Sequence, residues 1–189
     1  MELEERVEAF NDASCALRAV IERWSQPGVF VVADTSFYIH HPDKLDDLDL
    51  APLIGACGDD IHVLVPIVVV DELDGLKQSN KNETRSRARQ TLAVLDRVFA
   101  HTTTVARLRD ADFSALGSGG VPRGLITVEL VFDPPGHVRL PINDDEIIDR
   151  VRAIQPLAGR LIKLLTYDTG QSTRARAVGL DTIKLVQQR

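Results

Sequence analysis

Cysteine is scarce in this 189-residue chain: Cys15 and Cys57 are the only two, and no C-x-x-C spacing joins them. Neither a disulfide framework nor a thiolate metal site is indicated, and both read as small buried thiols. No apolar run approaches the roughly 18 residues of a membrane span, and the acidic start MELEERVEAF has no basic region of a secretory signal. The expected compartment is therefore the cytoplasm, with no membrane partner. Internal repeats and low-complexity tails are missing too, which leaves no sign of a solenoid or a disordered chain. What remains, 44% hydrophobic and 26% charged residues in 20.8 kDa, suits one folded domain with additions.

An excess of positive charge is also wanting. The net charge of −6 by itself argues against nucleic acid, because binding phosphates relies on Lys and Arg. The distribution argues otherwise. Acidic residues outnumber basic ones 16 to 4 in 1–76 and 8 to 2 in 110–149, whereas basic residues lead 8 to 2 in both 77–109 and 150–189. Such alternation is compatible with an acidic pit between basic flanks.

Periodicity sets the elements. Val7, Phe10, Ala13, Leu17, Ile21 and Trp24 recur at spacings of three and four, predicting an amphipathic helix over 3–24 that Pro27-Gly28 ends. The continuous apolar run 29–33 predicts a buried parallel strand with Asp34 at its end, and 62–65 a second one. Pro66 is suited to begin a helix over 67–77. Further helices are expected at 50–57, 84–99 and 144–155, the last with Asn143 as N-cap. A strand over 160–167 ends at Asp168, followed by a short helix through Val178 and a strand at 182–186. Residues 114–123 read as a Gly-rich loop. The segments 126–132 and 138–140 flank Asp133-Pro-Pro-Gly and predict an inserted surface hairpin. Strands alternating with helices imply a parallel sheet with helices on both faces.

In such sheets ligands bind beyond the carboxyl ends of the strands. Asp34 and Asp168 stand there, and Glu72 and Asp144 occupy early turns of neighbouring helices. Four acids converging must take up protons or a divalent cation. All-oxygen ligands suit Mg²⁺ or Mn²⁺, which accept phosphate oxygens and activate water at neutral pH. Phosphodiester hydrolysis is one reaction open to such a set.

The residues around these acids resemble the PIN-domain family, in family order and from about Val29 to Val186. The matching stretches are VVADTSFYI with Asp34, VPIVVVDELDGLK with Glu72, NDDEIIDRV with Asp144 or Asp145, and IKLLTYDTGQSTRARAVGL with Asp168. The resemblance implies a Rossmann-like three-layer α/β fold with a central parallel sheet, extended here by an N-terminal helix (1–26) and an insertion at about 112–141 within a domain over 27–189. It further implies an Mg²⁺- or Mn²⁺-dependent nuclease that cleaves single-stranded RNA. The VVVDELDGLK and TYD…RARAVGL stretches look more like PhoH-associated and RNA-processing members than the shorter toxin type.

By that resemblance Asp34, Glu72, Asp144 and Asp168 face the metal, with Asp145 as the alternative to Asp144. Thr35, Ser36 and Thr166 support them by hydrogen bonds, and Lys77, Lys81, Arg85, Arg87, Arg174 and Arg176 are candidates for phosphate contact. Taken singly, each acid has a plainer role as a helix cap, a solvated face or a turn former, and the five histidines have no zinc spacing. Competing functions are a non-cutting PIN-fold module that binds RNA or protein, and a toxin-like nuclease under a partner's control. A phosphatase with an aspartyl nucleophile fits less well, because Ser36 stands where its second acid is needed. The apolar stripe of the first helix makes a homodimer a further expectation.

Overall fold

The apolar run at the start of the matching region becomes β1 (Val29–Ala33), the strand around which the sheet is built. It pairs in parallel with β2 (Ile61–Pro66) on one side and β5 (Lys163–Thr166) on the other. All six residues of β2 are buried, as unbroken Val, Ile and Leu runs require of strands covered on both faces. β4 (Ile126–Val131) adds in parallel beyond β2, and β6 (Asp181–Lys184) beyond β5. β3 (Val105–Arg109) closes the far edge antiparallel to β4, giving the order β3-β4-β2-β1-β5-β6. This computed structural model describes residues 2–102 and 104–187.

The helices follow their capping signals. Asp34 caps α2 (Thr35–His40), and Asp168 caps α7 (Thr169–Ala177). Pro66 ends β2 and is the N-cap of α4 (Ile67–Leu76), so the β-branched run at 67–70 is helical because a proline cannot donate to a continuing ladder. Between these lie α3 (Ala51–Ile54), α5 (Asn82–Val98) and α6 (Asn143–Ala158). The chain leaves β1 toward β2 but returns through α6 past β1 to β5, so right-handed crossovers place these connections on opposite faces of the sheet. The parallel α/β architecture expected from the sequence is present.

Two expectations are corrected. The segment 126–132 is not the first arm of an inserted hairpin: Ile126–Val131 pairs with β2 and β3 inside the main sheet, and 138–140 forms no strand. The apolar residues of the hairpin reading were there to fill the core, where Ile126 and Val128 are 1% and 0% exposed. The cysteines are free thiols on the surface rather than buried. In α1 (Glu2–Trp24) only Trp24 is buried, edge-on to Phe30, while Leu3, Val7, Phe10, Leu17 and Ile21 are exposed. Arg23 pairs with the buried Glu129 of β4 and anchors that end of the helix. Among the described residues no helix is long and apolar enough to cross a membrane.

Leu64, Leu164 and Leu165 are wholly buried at the centre of the sheet. Leu64→Ala is expected to cost about 2–5 kcal/mol, read as a fall of roughly 5–15 °C in the thermal midpoint. A loss below about 1 kcal/mol would mean that this layer is not close-packed.

Candidate active site

β1 and β5 end side by side where the strand order reverses, and the Asp34 amide donates to the Leu165 carbonyl at 3.1 Å. A crevice at such a switch point is where open α/β sheets bind ligands. Asp34 is only 3% exposed. Its carboxylate accepts from the Phe37 amide at 2.9 Å, from Ser36 Oγ at 2.7 and 2.9 Å, and from Thr166 Oγ1 at 2.5 Å. Both hydroxyls are themselves fixed by the β5 end: the Tyr167 amide donates to Ser36 Oγ at 2.9 Å, and the Asp168 amide to Thr166 Oγ1 at 2.8 Å. Asp34 and Asp168 are thereby held in one network.

Asp168 accepts from the Gln171 amide at 2.9 Å as the cap of α7. Glu72, one turn into α4, is gripped from two sides, by Thr35 Oγ1 and by Asn143 Nδ2 at 2.8 Å. The fully buried Gln171 sets its side-chain amide against Asp144; turned so that its nitrogen faces the carboxylate, the amide donates to Asp144 Oδ1 at 3.0 Å. Asp34, Glu72, Asp144 and Asp168 all line one open cavity of about 400 Å³, together with Thr35, Ser36 and Ile147. The capping roles of Asp34 and Asp168 and the cavity-lining roles coexist in the same side chains.

Electrostatics set this cavity apart from a solvated acidic surface. Burial pushes the Asp34 carboxyl up to about 6, against the opposing pull of Thr166, Ser36 and the Phe37 amide, and Asp144 adds to the rise. Asp144 is raised by burial first and then by Asp168, with Glu72 and Asp145 contributing less and Arg174 opposing. Mutual repulsion among partly desolvated carboxylates is relieved by a divalent cation. The donor set is carboxylate oxygen with nearby hydroxyls and no sulfur or imidazole, which fits Mg²⁺ or Mn²⁺.

The supporting residues expected from the sequence, Thr35, Ser36 and Thr166, all make such contacts. Asp145 lies outside the cavity lining and is paired with Arg174 at 2.8 Å. Most of the expected phosphate-binding cations are engaged elsewhere. Lys77 pairs with Asp74, Arg85 donates to the Ser79 carbonyl and Asn82, and Arg176 reaches the Thr182 carbonyl at 3.5 Å. Arg87 donates to the carbonyls of His41, Pro42 and Asp43 beyond the end of α2. Lys81 makes no side-chain hydrogen bond or ion pair among the described residues. Asn143 and Gln171 went unrecognised as site residues in the sequence; Asn143 is the first residue of α6, and Ile142 rather than Asn143 is its N-cap.

A separate group, Asp133, His137 and Glu146, also brings its ligand atoms within 4.8 Å of one another. Here a guanidinium already balances the charge: Arg150 lies 3.2 Å from Glu146 Oε1 and 3.3 Å from His137 Nδ1. Glu146 accepts from His137 at 2.7 Å and from the Leu140 amide at 2.9 Å. These bonds lash the 133–142 segment onto α6, next to the turn that presents Asp144. Glu146→Ala is expected to destabilise the fold by about 1–3 kcal/mol by leaving the Leu140 amide and His137 Nε2 without their acceptor, checked by denaturant titration; an unchanged midpoint would refute the latch.

No curated protein matches the chain. Among solved structures, a domain of a functionally unknown protein from Methanocaldococcus jannaschii is 15% identical, with a TM-score of 0.48, over 85% of this chain and 94% of that one. A family model described as PIN domain matches residues 31–186, which include the four cavity-lining acids. By that match, over most of its length, the chain belongs to the PIN-domain family.

Proposed function

We propose that this protein is a metal-dependent ribonuclease that hydrolyses phosphodiester bonds in single-stranded RNA, as an endonuclease in the cytoplasm. The observation that carries the proposal is the convergence of Asp34, Glu72, Asp144 and Asp168 on one cavity, with Asp34 and Asp144 shifted upward in pKa. PIN domains are generally nucleases that use divalent metals, and this donor set fits that chemistry.

The four acids would hold Mg²⁺ or Mn²⁺, which when bound supplies charge neutralisation for the phosphodiester and activation of water near neutral pH. The chain's own part is preorganisation. Ser36, Thr166 and the Phe37 amide fix the Asp34 carboxylate, Thr35 and Asn143 fix both oxygens of Glu72, and Gln171 orients Asp144. Ligand oxygens held by such outer partners lose little freedom on taking up a cation. The wide mouth of the cavity suits a strand whose backbone is accessible.

Purified protein incubated with single-stranded RNA in Mn²⁺ is expected to cut it internally, and EDTA to stop the reaction. Failure to cut RNAs of varied sequence, with metal bound, favours the reading as a non-catalytic RNA- or protein-binding module. Because Asp34 must be ionised to ligate, Mn²⁺ affinity is expected to fall steadily as pH drops below about 6; an affinity flat from pH 5 to 8 contradicts it.

The exposed stripe of α1 favours self-association as part of this proposal. An antiparallel pairing with a second copy buries Leu3, Val7, Phe10 and Leu17. Light scattering at tens of micromolar, where weak dimers form, is expected to give a dimer that Leu17→Glu dissociates.

A further inference from the structure

The acidic cavity opens into a groove. Thr35, Ser36 and Leu76 line both that cavity and a neighbouring one of about 460 Å³. The latter shares Ile39, His40, Lys81 and Thr84 with a third cavity of about 560 Å³, whose walls include Leu53, Tyr167 and Leu185. The three spaces adjoin in a row that starts at the four acids, and Lys81 lines both of the outer two.

The far end of this row is aromatic and apolar. Tyr167 is half-buried, and its ring is braced by three neighbours: His40 at 6.2 Å and 67°, His41 at 6.4 Å and 66°, and Phe37 at 6.3 Å and 38°. A ring fixed in this way presents a face without an ordering cost on binding. Its hydroxyl makes no hydrogen bond among the described residues. Tyr167 is also coupled to the acids by its backbone, since its amide donates to the Ser36 hydroxyl that binds Asp34. Glu83 and Lys81 both line the outer wall, and beside them Leu53, Tyr167 and Leu185 offer apolar surface that suits a neutral flat ring. The unpaired ammonium of Lys81 offers what a phosphate needs.

We propose that Tyr167, edged by His40 and walled by Leu53 and Leu185, is a nucleobase-stacking subsite. It seats an unpaired base one cavity away from the bond to be cut, and Lys81 holds a phosphate between. This rests on reading the acidic cavity as a nuclease site for single strands. Stacking on an aromatic face requires an unpaired base and tolerates any base identity. The subsite therefore selects for single-strandedness rather than for sequence.

The test measures binding of a fluorescein-labelled 10-nucleotide RNA, and of its set of single abasic substitutions, to full-length Asp34→Asn protein in Mg²⁺. One abasic position is expected to weaken binding about 10-fold. Adding Tyr167→Ala should weaken the intact RNA about 10-fold and erase the penalty at that position, whereas Tyr167→Phe should keep both. Tyr167→Leu, which keeps an apolar side chain but no aromatic face, should weaken binding as Ala does with a melting temperature closer to the parent's, separating stacking from folding. Lys81→Ala should weaken all the RNAs alike and lower the salt slope by about one. The proposal is overturned if Tyr167→Ala binds as its parent does, or if the abasic profile is the same with and without Tyr167. Cleavage by the unsubstituted protein in Mn²⁺, run alongside, reads the nuclease assignment separately. A cutting enzyme with a flat abasic profile sinks the subsite alone, and a Tyr167-dependent profile without cutting sinks catalysis alone.

Discussion

Asp34→Asn is expected to lower RNA cleavage at least about 10³-fold while raising the stability of the metal-free protein at pH 8. Both effects arise from one feature, a carboxylate 3% exposed whose pKa is pushed up to about 6, well above the ordinary range of an aspartate. A group with its folded pKa raised contributes stability that is present below its unfolded pKa and lost as pH rises through the folded value. The metal-free protein should therefore weaken between about pH 4 and 7, and the asparagine variant should escape that loss. Two pKa units correspond to about 3 kcal/mol; imperfect hydrogen bonding by the amide reduces the expected gain to about 1–3 kcal/mol. Added Mn²⁺ should stabilise the unsubstituted chain and leave the variant unmoved. Calorimetry from pH 4 to 8 with and without Mn²⁺ checks each part, and an asparagine variant less stable at pH 8 would contradict desolvation of the Asp34 charge as the cause.

Asp168 carries two roles that different substitutions separate. As the cap of α7 it accepts from the Gln171 amide at 2.9 Å, and it also faces the cavity beside Asp144. Asparagine keeps the cap and removes the charge; alanine removes both. Asp168→Asn is therefore expected to hold stability within about 0.5 kcal/mol, because asparagine caps as well as aspartate does. Asp168→Ala should lose about 1 kcal/mol. Cleavage should fall about 10²-fold or more in both, as expected when a charged group acting in the transition state is lost. If Asp168→Asn cuts normally, the residue is a cap and no more, and the acidic set shrinks to three.

The parts of this fold that could be read in the chain were those with local causes. Unbroken apolar runs announced β1 and β2, Pro66 announced the switch from strand to helix, and Asp34 and Asp168 marked the strand ends. β4 was misplaced because its partner is distant: Asp133-Pro-Pro-Gly suggests a local turn, whereas Val128 pairs with Val63. β3, with arginines at 107 and 109, has too little apolar pattern to declare an edge strand. For the site, the acids were legible because they stand at strand ends or early helix turns within stretches that resemble the PIN-domain family. Asn143 and Gln171 were not, since what an amide does depends on which acid lies across from it. The arginines misled for a related reason: a long guanidinium such as Arg87 finds carbonyls 44 to 46 residues away, and sequence does not carry that reach.

Crystals grown in or soaked with millimolar Mn²⁺, measured at the manganese absorption edge, address the central claim most directly. An anomalous peak enclosed by Asp34, Glu72, Asp144 and Asp168 is the expected result. A peak at Asp133, His137 and Glu146 with none in the acidic cavity, or no peak at all, would contradict the assignment of that cavity as the metal centre.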